Sequence, residues 1–359
     1  MLQKCIDIDH PVKELQISVR NYLSRIQFLP AGNYFDVNYC DKKFGKLIGS
    51  TVKNKNTRDL IEKFHIAFLK LDQANRNNFI DIFDRTNNVQ IQFANPSTAL
   101  RLNNYPKSIK KEAKALFLNL YDDTLNKYGV KDHYTQVYKE KKDSWCPFCG
   151  MEKYIHPQRQ KQDYDHLLYK ANYPVASINM YNLAPMGIFC NRIFKKTKDL
   201  LLDSTGKSRS AINPYFDVIR PRINLAGSTM SSDPKKRVWK VNITPNSQEV
   251  ITWDSVFCIS QRCKEDFLDK MDGSNQDPEV DRLIYTFVQK SKARIAMEIK
   301  KGSHIKWNLA ELEDELELEK NSYETNYYHE YNFIKYAVFE FLLTNECKIF
   351  RKAMLANLY

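Results

Sequence analysis

Apolar residues recur at helical spacing through the first 140 positions and predict three amphipathic helices. Val12, Leu15, Ile17, Val19, Tyr22, Leu23 and Ile26 mark the first, which stops at Leu29-Pro30-Ala31-Gly32. The second opens after Asn56-Thr57, a capping pair, and carries Leu60, Ile61, Phe64, Phe68 and Leu71. The third starts near Ser108, carries Ala113, Leu116, Phe117, Leu120 and Leu125, and ends before Gly129. Between the last two, Val89-Gln90-Ile91-Gln92-Phe93 alternates apolar with polar and predicts a short strand.

The charged stretch Tyr138 to Asp143 reads as a boundary. The following 75 or so residues hold turn signals and clustered polar groups but few long helical patterns. After Pro214, the runs Arg237–Ile243 and Glu249–Trp253 both alternate. They flank Thr244-Pro245-Asn246-Ser247, so a hairpin is predicted. Helical periodicity then covers Phe257–Met271, Val280–Lys300, Leu309–Glu319 and Tyr327–Leu343. The acidic run Glu311–Glu319 reads as a solvated helix face. The expected class is α+β, mostly helical, in three regions: 1–140, 141–217 and 218–359.

With 359 residues and 43% hydrophobic content, the chain is long enough for real cores. No run of about 18 apolar residues occurs, which excludes a spanning helix. The N-terminus lacks a basic start and a small-residue cleavage site, so a cytoplasmic chain with reduced cysteines is expected. Net charge is +12, and it is concentrated: residues 101–250 hold 26 Lys and Arg against 14 Asp and Glu. A field of that sign points to a polyanionic partner. Lys110 and Lys111, on the third helix, and Lys235-Lys236-Arg237, at the head of the hairpin, are the expected phosphate-backbone contacts.

The chemistry gathers in residues 145–199. Cys146-Pro-Phe-Cys149-Gly has the spacing of a zinc knuckle, in which the glycine lets backbone amides approach the two sulfurs. Cys190 is the third expected ligand and His156 the nearest fourth; Gly187 stands where a second paired cysteine would lie. Asp165-His166, then Asn191 and Lys195, supply the parts of a hydrolytic site. An imidazole can deprotonate water, and a carboxylate with an amide oxygen suits Mg²⁺ or Mn²⁺. A helix starting near Cys190 would put Lys195 one turn after Asn191 on the same face.

Taken in order, Cys146-x-x-Cys149, Asp165-His166, Asn182-Leu183-x-Pro185 and Cys190-Asn191-x₃-Lys195 resemble the HNH endonucleases, whose ββα-metal (treble-clef) module is built on such a set. Tyr173-Pro174 and Asn213-Pro214-Tyr215-Phe216-Asp217 are similar to one bacterial branch of that family. The resemblance spans residues 144–217, about a fifth of the chain. It implies a ββα module in which His166 is the general base, Asp165 and Asn191 are metal ligands, and Asp163 supports the metal shell. Asn182 would hold the loop and orient His166, and Lys195, with Lys196 beside it, would contact phosphate. The implied activity is metal-dependent cleavage of DNA, with RNA as the alternative polymer, in an effector of bacterial anti-phage defence or restriction. Gly187 departs from the pattern at the structural zinc. The acidic, aromatic C-terminal helices are expected to bind a protein partner or a second copy of the chain. Two rival readings are a non-catalytic zinc-knuckle protein that binds nucleic acid and a structural subunit of a larger complex. The first leaves Asp165-His166 and Asn191-x₃-Lys195 without a role; the second takes the whole segment as packing.

Overall fold

The computed structural model describes residues 2–49, 55–141, 145–160, 162–269, 277–302 and 306–359. It is 58% helix and 5% strand, with two small antiparallel sheets. The chain divides into two compact units. One comprises Lys4–Cys146 and Lys153–Val218; the other comprises Met1–Gln3, Pro147–Glu152 and Ile219–Tyr359.

The first unit begins with α1 (Glu14–Ile26), α2 (Lys42–Gly49), α3 (Lys55–Leu69), α4 (Gln73–Asn87) and α5 (Val89–Ala94). It continues with α6 (Lys110–Asn119), α7 (Leu125–Lys127) and α8 (Val130–Glu140). Most periodic apolar residues of the first three predicted helices are buried: Leu15, Val19, Leu23 and Ile26 on α1, Phe64 and Phe68 on α3, Leu116 and Phe117 on α6; Ile17, expected on the same stripe of α1, is exposed. Five phenylalanines interlock at the centre, with Phe64 and Phe79 ring centroids 5.7 Å apart and Phe83 and Phe117 5.9 Å apart. Each such ring contributes roughly 1.5–3 kcal/mol when buried. Arg76, also buried, donates to the carbonyls of Gln27, Leu29 and Leu71, which satisfies chain ends that would otherwise be orphaned. Of the predicted boundary at Tyr138–Asp143, residues 138–140 extend α8, while Lys142 and Asp143 lie outside the described residues.

The predicted strand at Val89–Phe93 is helix α5. Asn88 caps it by accepting from the Ile91 amide at 3.2 Å, and Val89, Gln92 and Phe93 are buried at three- and four-residue spacing. Ile91, which a strand would have turned inward, is 51% exposed. Local capping and a helical core face override the alternation.

Beyond α8, β1 (Tyr164–His166) pairs antiparallel with β2 (Leu183–Pro185), in the register Tyr164↔Pro185, Asp165↔Ala184, His166↔Leu183. A single π-helical segment, Phe189–Lys195, follows. The connection between the strands is not a surface loop: residues 173–180 are buried throughout. It is pinned to the helices at several points. Ser177 Oγ donates to the Phe117 carbonyl at 2.9 Å. Asn179 Nδ2 donates to the Asn87 carbonyl at 2.8 Å, and Asn87 Nδ2 donates to the Val175 carbonyl at 3.2 Å.

The second unit holds β3 (Arg222–Asn224), β4 (Asn242–Thr244), α9 (Gln248–Phe257), α10 (Ile259–Cys263), α11 (Glu279–Lys300), α12 (Leu309–Glu324), α13 (Asn332–Leu342) and α14 (Lys348–Ala356). The predicted hairpin is re-paired. β4 takes β3 as its partner, with Ile223 opposite Ile243, and Glu249–Trp253 belongs to α9. Val250, Trp253, Val256 and Phe257 form a buried helical stripe there, and Trp253 Nε1 donates to the Phe148 carbonyl at 2.9 Å. The acidic helix α12 opens with a capping box between Asn308 and Glu311. Its acidic face meets α11: Glu319 pairs with Lys290 at 3.0 Å, and Glu315 pairs with Arg294. The aromatics near α13 are used inside the unit, with Phe333 fully buried and Tyr323 stacked on Phe339 at 5.9 Å.

Candidate functional site

β1, the residues after it and the π-helical segment enclose a cleft of about 270 Å³ within the first unit. Asp163, Asp165, His166 and Asn191 line it, with Lys170, Arg192 and Lys196 as its cations and Tyr121, Tyr164 and Tyr169 completing the wall. Asp163, Tyr164, Asp165 and His166 are consecutive and all line the cleft, so this stretch of the chain forms one of its walls.

His166 is 6% exposed. Its Nε2 lies 3.1 Å from the Ser177 carbonyl, which can only accept, so Nε2 carries the proton and Nδ1 keeps a lone pair. The Tyr121 ring packs edge-on at 4.2 Å, and the Tyr121 hydroxyl donates to the Tyr164 carbonyl at 3.1 Å. Burial pushes the imidazole down to about 3, with the Lys170 and Lys195 charges acting in the same direction, so the ring is neutral near pH 7.

Asn182 lies beneath the cleft, fully buried. Its Oδ1 accepts from the Leu168 amide at 2.6 Å; its Nδ2 donates to the carbonyls of Leu168 and Ala176 at 3.2 and 3.0 Å. It therefore ties the start of the buried connection to its middle, next to the carbonyl that orients His166.

Lys195 is placed differently from a surface phosphate contact. Lys196 N bonds back to the Asn191 carbonyl at 2.8 Å, five residues earlier. This wider turn puts Lys196 on the cleft and rotates Lys195 inward, where its side chain is fully buried. Lys195 Nζ donates to the His166 carbonyl at 2.9 Å and stands 2.8 Å from Asp165 Oδ2. That oxygen is buried and takes no hydrogen bond of good angle. Burial raises the Asp165 carboxyl above the usual range, and the Lys195 charge opposes the rise. The segment ends at Lys196 with φ +51, in the left-handed region that non-glycine residues rarely adopt.

Asp163 is engaged by Arg192, whose Nε and Nη2 both donate to Asp163 Oδ2, at 3.1 and 2.5 Å. The Asn191 side chain is half-buried at the cleft edge. The donors around the opening are therefore hard oxygens: two carboxylates and one amide. Both carboxylates already have cationic partners, Asp163 in Arg192 and Asp165 in Lys195.

Cys146 and Cys190, both buried, belong to the first unit, while Cys149 and Glu152 belong to the second. His156, the fourth ligand expected from the sequence, lies in the first unit with Cys146 and Cys190. The His156 ring packs edge-on against Tyr138, and its Nδ1 accepts from the Gln158 amide at 3.3 Å. Gly187 donates its amide to Cys146 Sγ at 3.3 Å; Gly150, at φ +66, carries the turn in which the Met151 amide donates to Cys149 Sγ at 3.3 Å.

The basic residues named from the sequence are spread over both units. Lys110 and Lys111 open α6, where Lys110 donates to the Asn103 carbonyl and Lys111 is exposed. Lys235 and Lys236 are exposed in the second unit, while Arg237 is half-buried and paired with Asp281. Arg192, Lys170 and Tyr121 are cleft residues that no pattern in the sequence assigned a role. Arg192 was legible only as part of the Cys190–Lys195 run.

Comparison with models of protein families, with curated proteins and with solved structures finds no match. Among the described residues, no helix is long and apolar enough to cross a membrane.

Proposed function

We propose that this chain is a metal-dependent endonuclease of the HNH kind, hydrolysing phosphodiester bonds in DNA. One observation carries the reading: an imidazole with a free Nδ1 lone pair, two carboxylates and a carboxamide share a single cleft with three cations. Asp165 and Asn191 would hold a Mg²⁺ or Mn²⁺ ion, with Asp163 nearby, and the ion would supply charge neutralisation at the phosphate and the leaving oxygen. His166 takes the proton of the attacking water at Nδ1, while the Ser177 carbonyl keeps the ring in the correct tautomer. The depressed basicity of the ring is matched to that task by the substrate. A phosphate anion entering the cleft stabilises the imidazolium and raises the pKa toward the working range. Lys170, Arg192 and Lys196 draw the backbone in, and Lys110, Lys111, Lys235, Lys236 and Arg237 extend the attraction in a salt-dependent, sequence-independent way. Asn182 is a positioning residue acting through the connection it ties.

The cellular setting follows from the resemblance alone: an effector of bacterial defence or restriction, with the C-terminal region contacting a protein partner or a second copy. One observation favours a second reading, in which the protein binds nucleic acid without cutting it: Lys195 already neutralises the carboxylate assigned to the metal. The test is incubation of the protein with supercoiled plasmid, single-stranded circles and RNA, with Mg²⁺, Mn²⁺ or chelator. Metal-dependent nicking that disappears in His166→Ala, with DNA binding retained, supports the nuclease. Binding without nicking in any metal would discard it for the second reading.

A further inference from the structure

Arg192 and Asp163 form the outermost ion pair of the cleft. Their side chains are 63% and 35% exposed, in contrast to the sealed Lys195–Asp165 pair. The two donors on the Nε edge of the guanidinium converge on Asp163 Oδ2. This edge is the one an arginine uses to grip adjacent oxygens of a carboxylate or a phosphate, and the two anions present similar acceptor geometry. An exposed pair of this type is worth at most about a fivefold shift in an equilibrium (~1 kcal/mol), so a competing anion can displace its acidic member.

We infer that Asp163 is an internal phosphate surrogate, holding Arg192 over the cleft until a nucleic-acid phosphodiester takes the guanidinium from it. The exchange has a consequence for charge. With Arg192 on Asp163 and Lys195 on Asp165, both cleft carboxylates are neutralised. Once the phosphodiester occupies Arg192, the Asp163 carboxylate is released beside Asp165 and Asn191, and the cleft gains one negative charge. Nucleic acid and a divalent cation then favour each other's binding, reciprocally, through one arginine. The cation half of this inference rests on the nuclease reading; the exchange half does not.

The experiment is equilibrium binding of a fluorescent DNA duplex to the full chain, in chelator and in Ca²⁺. Wild type is compared with Asp163→Asn, Arg192→Ala and the double variant. Thermal unfolding of each variant is measured alongside. In chelator, Asp163→Asn removes the competitor and tightens binding two- to fivefold, while Arg192→Ala weakens it. In the Arg192→Ala background, Asp163→Asn has no further effect, which separates exchange from general removal of negative charge. In Ca²⁺ the wild type gains affinity, and either single variant loses most of that gain. Unchanged or weaker binding by Asp163→Asn in chelator, or the same tightening in the Arg192→Ala background, overturns the inference. Absence of plasmid nicking by the wild type in Mg²⁺ or Mn²⁺, with the chelator pattern intact, removes the nuclease reading and leaves the exchange standing.

Discussion

Replacing Lys195 with methionine separates two roles that the same residue could hold. Methionine keeps most of the stem and deletes the ammonium, which stands 2.8 Å from Asp165 Oδ2 and 2.9 Å from the His166 carbonyl. Lys195 is fully buried and Asp165 is 8% exposed, so the variant strands a carboxylate without its counter-charge. Breaking a buried pair on one side costs about 3–5 kcal/mol. In a folding unit of roughly 200 residues, each kcal/mol lowers the midpoint by about 2–4 °C, so a drop on the order of 10 °C is expected. Asp165→Asn in the same chain removes the stranded charge and restores much of the loss, as a double-mutant cycle in urea would record. The deficit also has a pH signature. Burial already raises the Asp165 carboxyl, and losing Lys195 raises it further. A raised acid is stabilising while protonated and loses that contribution as pH climbs through its folded pKa, so Lys195→Met lies closer to wild type at pH 5 than at pH 8. If Lys195→Met unfolds within about 1 kcal/mol of wild type but loses DNA affinity, the lysine is a phosphate contact and the buried-pair argument fails.

Three further outcomes follow. Burial drives His166 to about 3 and His133 to about 4, both well below an unfolded histidine near 6.5. The unfolded chain therefore takes up protons first as pH falls. Stability should be flat above pH 7 and decline by about 2 kcal/mol per histidine on reaching pH 5, and His133→Gln should flatten that decline in denaturant titrations at each pH. Asn182→Ala orphans the Leu168 amide and two carbonyls, and should cost about 2–4 kcal/mol in urea unfolding; loss of activity below the unfolding transition would mark it as positioning the site as well. In the second unit, Arg351 is buried and holds Glu313 and the carbonyls of Leu342 and Thr344, so Arg351→Ala should destabilise that unit by about 3 kcal/mol, read as a shift in its thermal transition.

The helices with long apolar stripes were legible in the sequence because their cores repeat along the chain; Leu15, Val19 and Leu23 are buried where the period puts them. Short segments were not. Val89–Phe93 and Glu249–Trp253 alternate over five residues, too few to distinguish a strand from a helix, and partners distant in sequence decided between them. At the site, order and spacing pointed to Asp165, His166 and Asn191, which line one cleft. The inward turn of Lys195 was hidden, because the rotation comes from a π-type hydrogen bond that residue types do not announce. Arg192 and Tyr121 were missed for a different reason. One had no motif position, and the other arrives from a helical region more than 40 residues upstream.

The buried connection after His166 is cast against α4 and α6, so the aim of the imidazole is set by helices that carry no chemistry themselves. Ser177 answers to Phe117, and Asn179 answers to Asn87, at 2.9 and 2.8 Å. The amino-terminal helices are thereby the jig in which the reactive ring is mounted. A fragment cut down to Asp163–Lys196 would retain the carboxylates, the carboxamide and the cations of the cleft, lose Tyr121, and let His166 swing out of line.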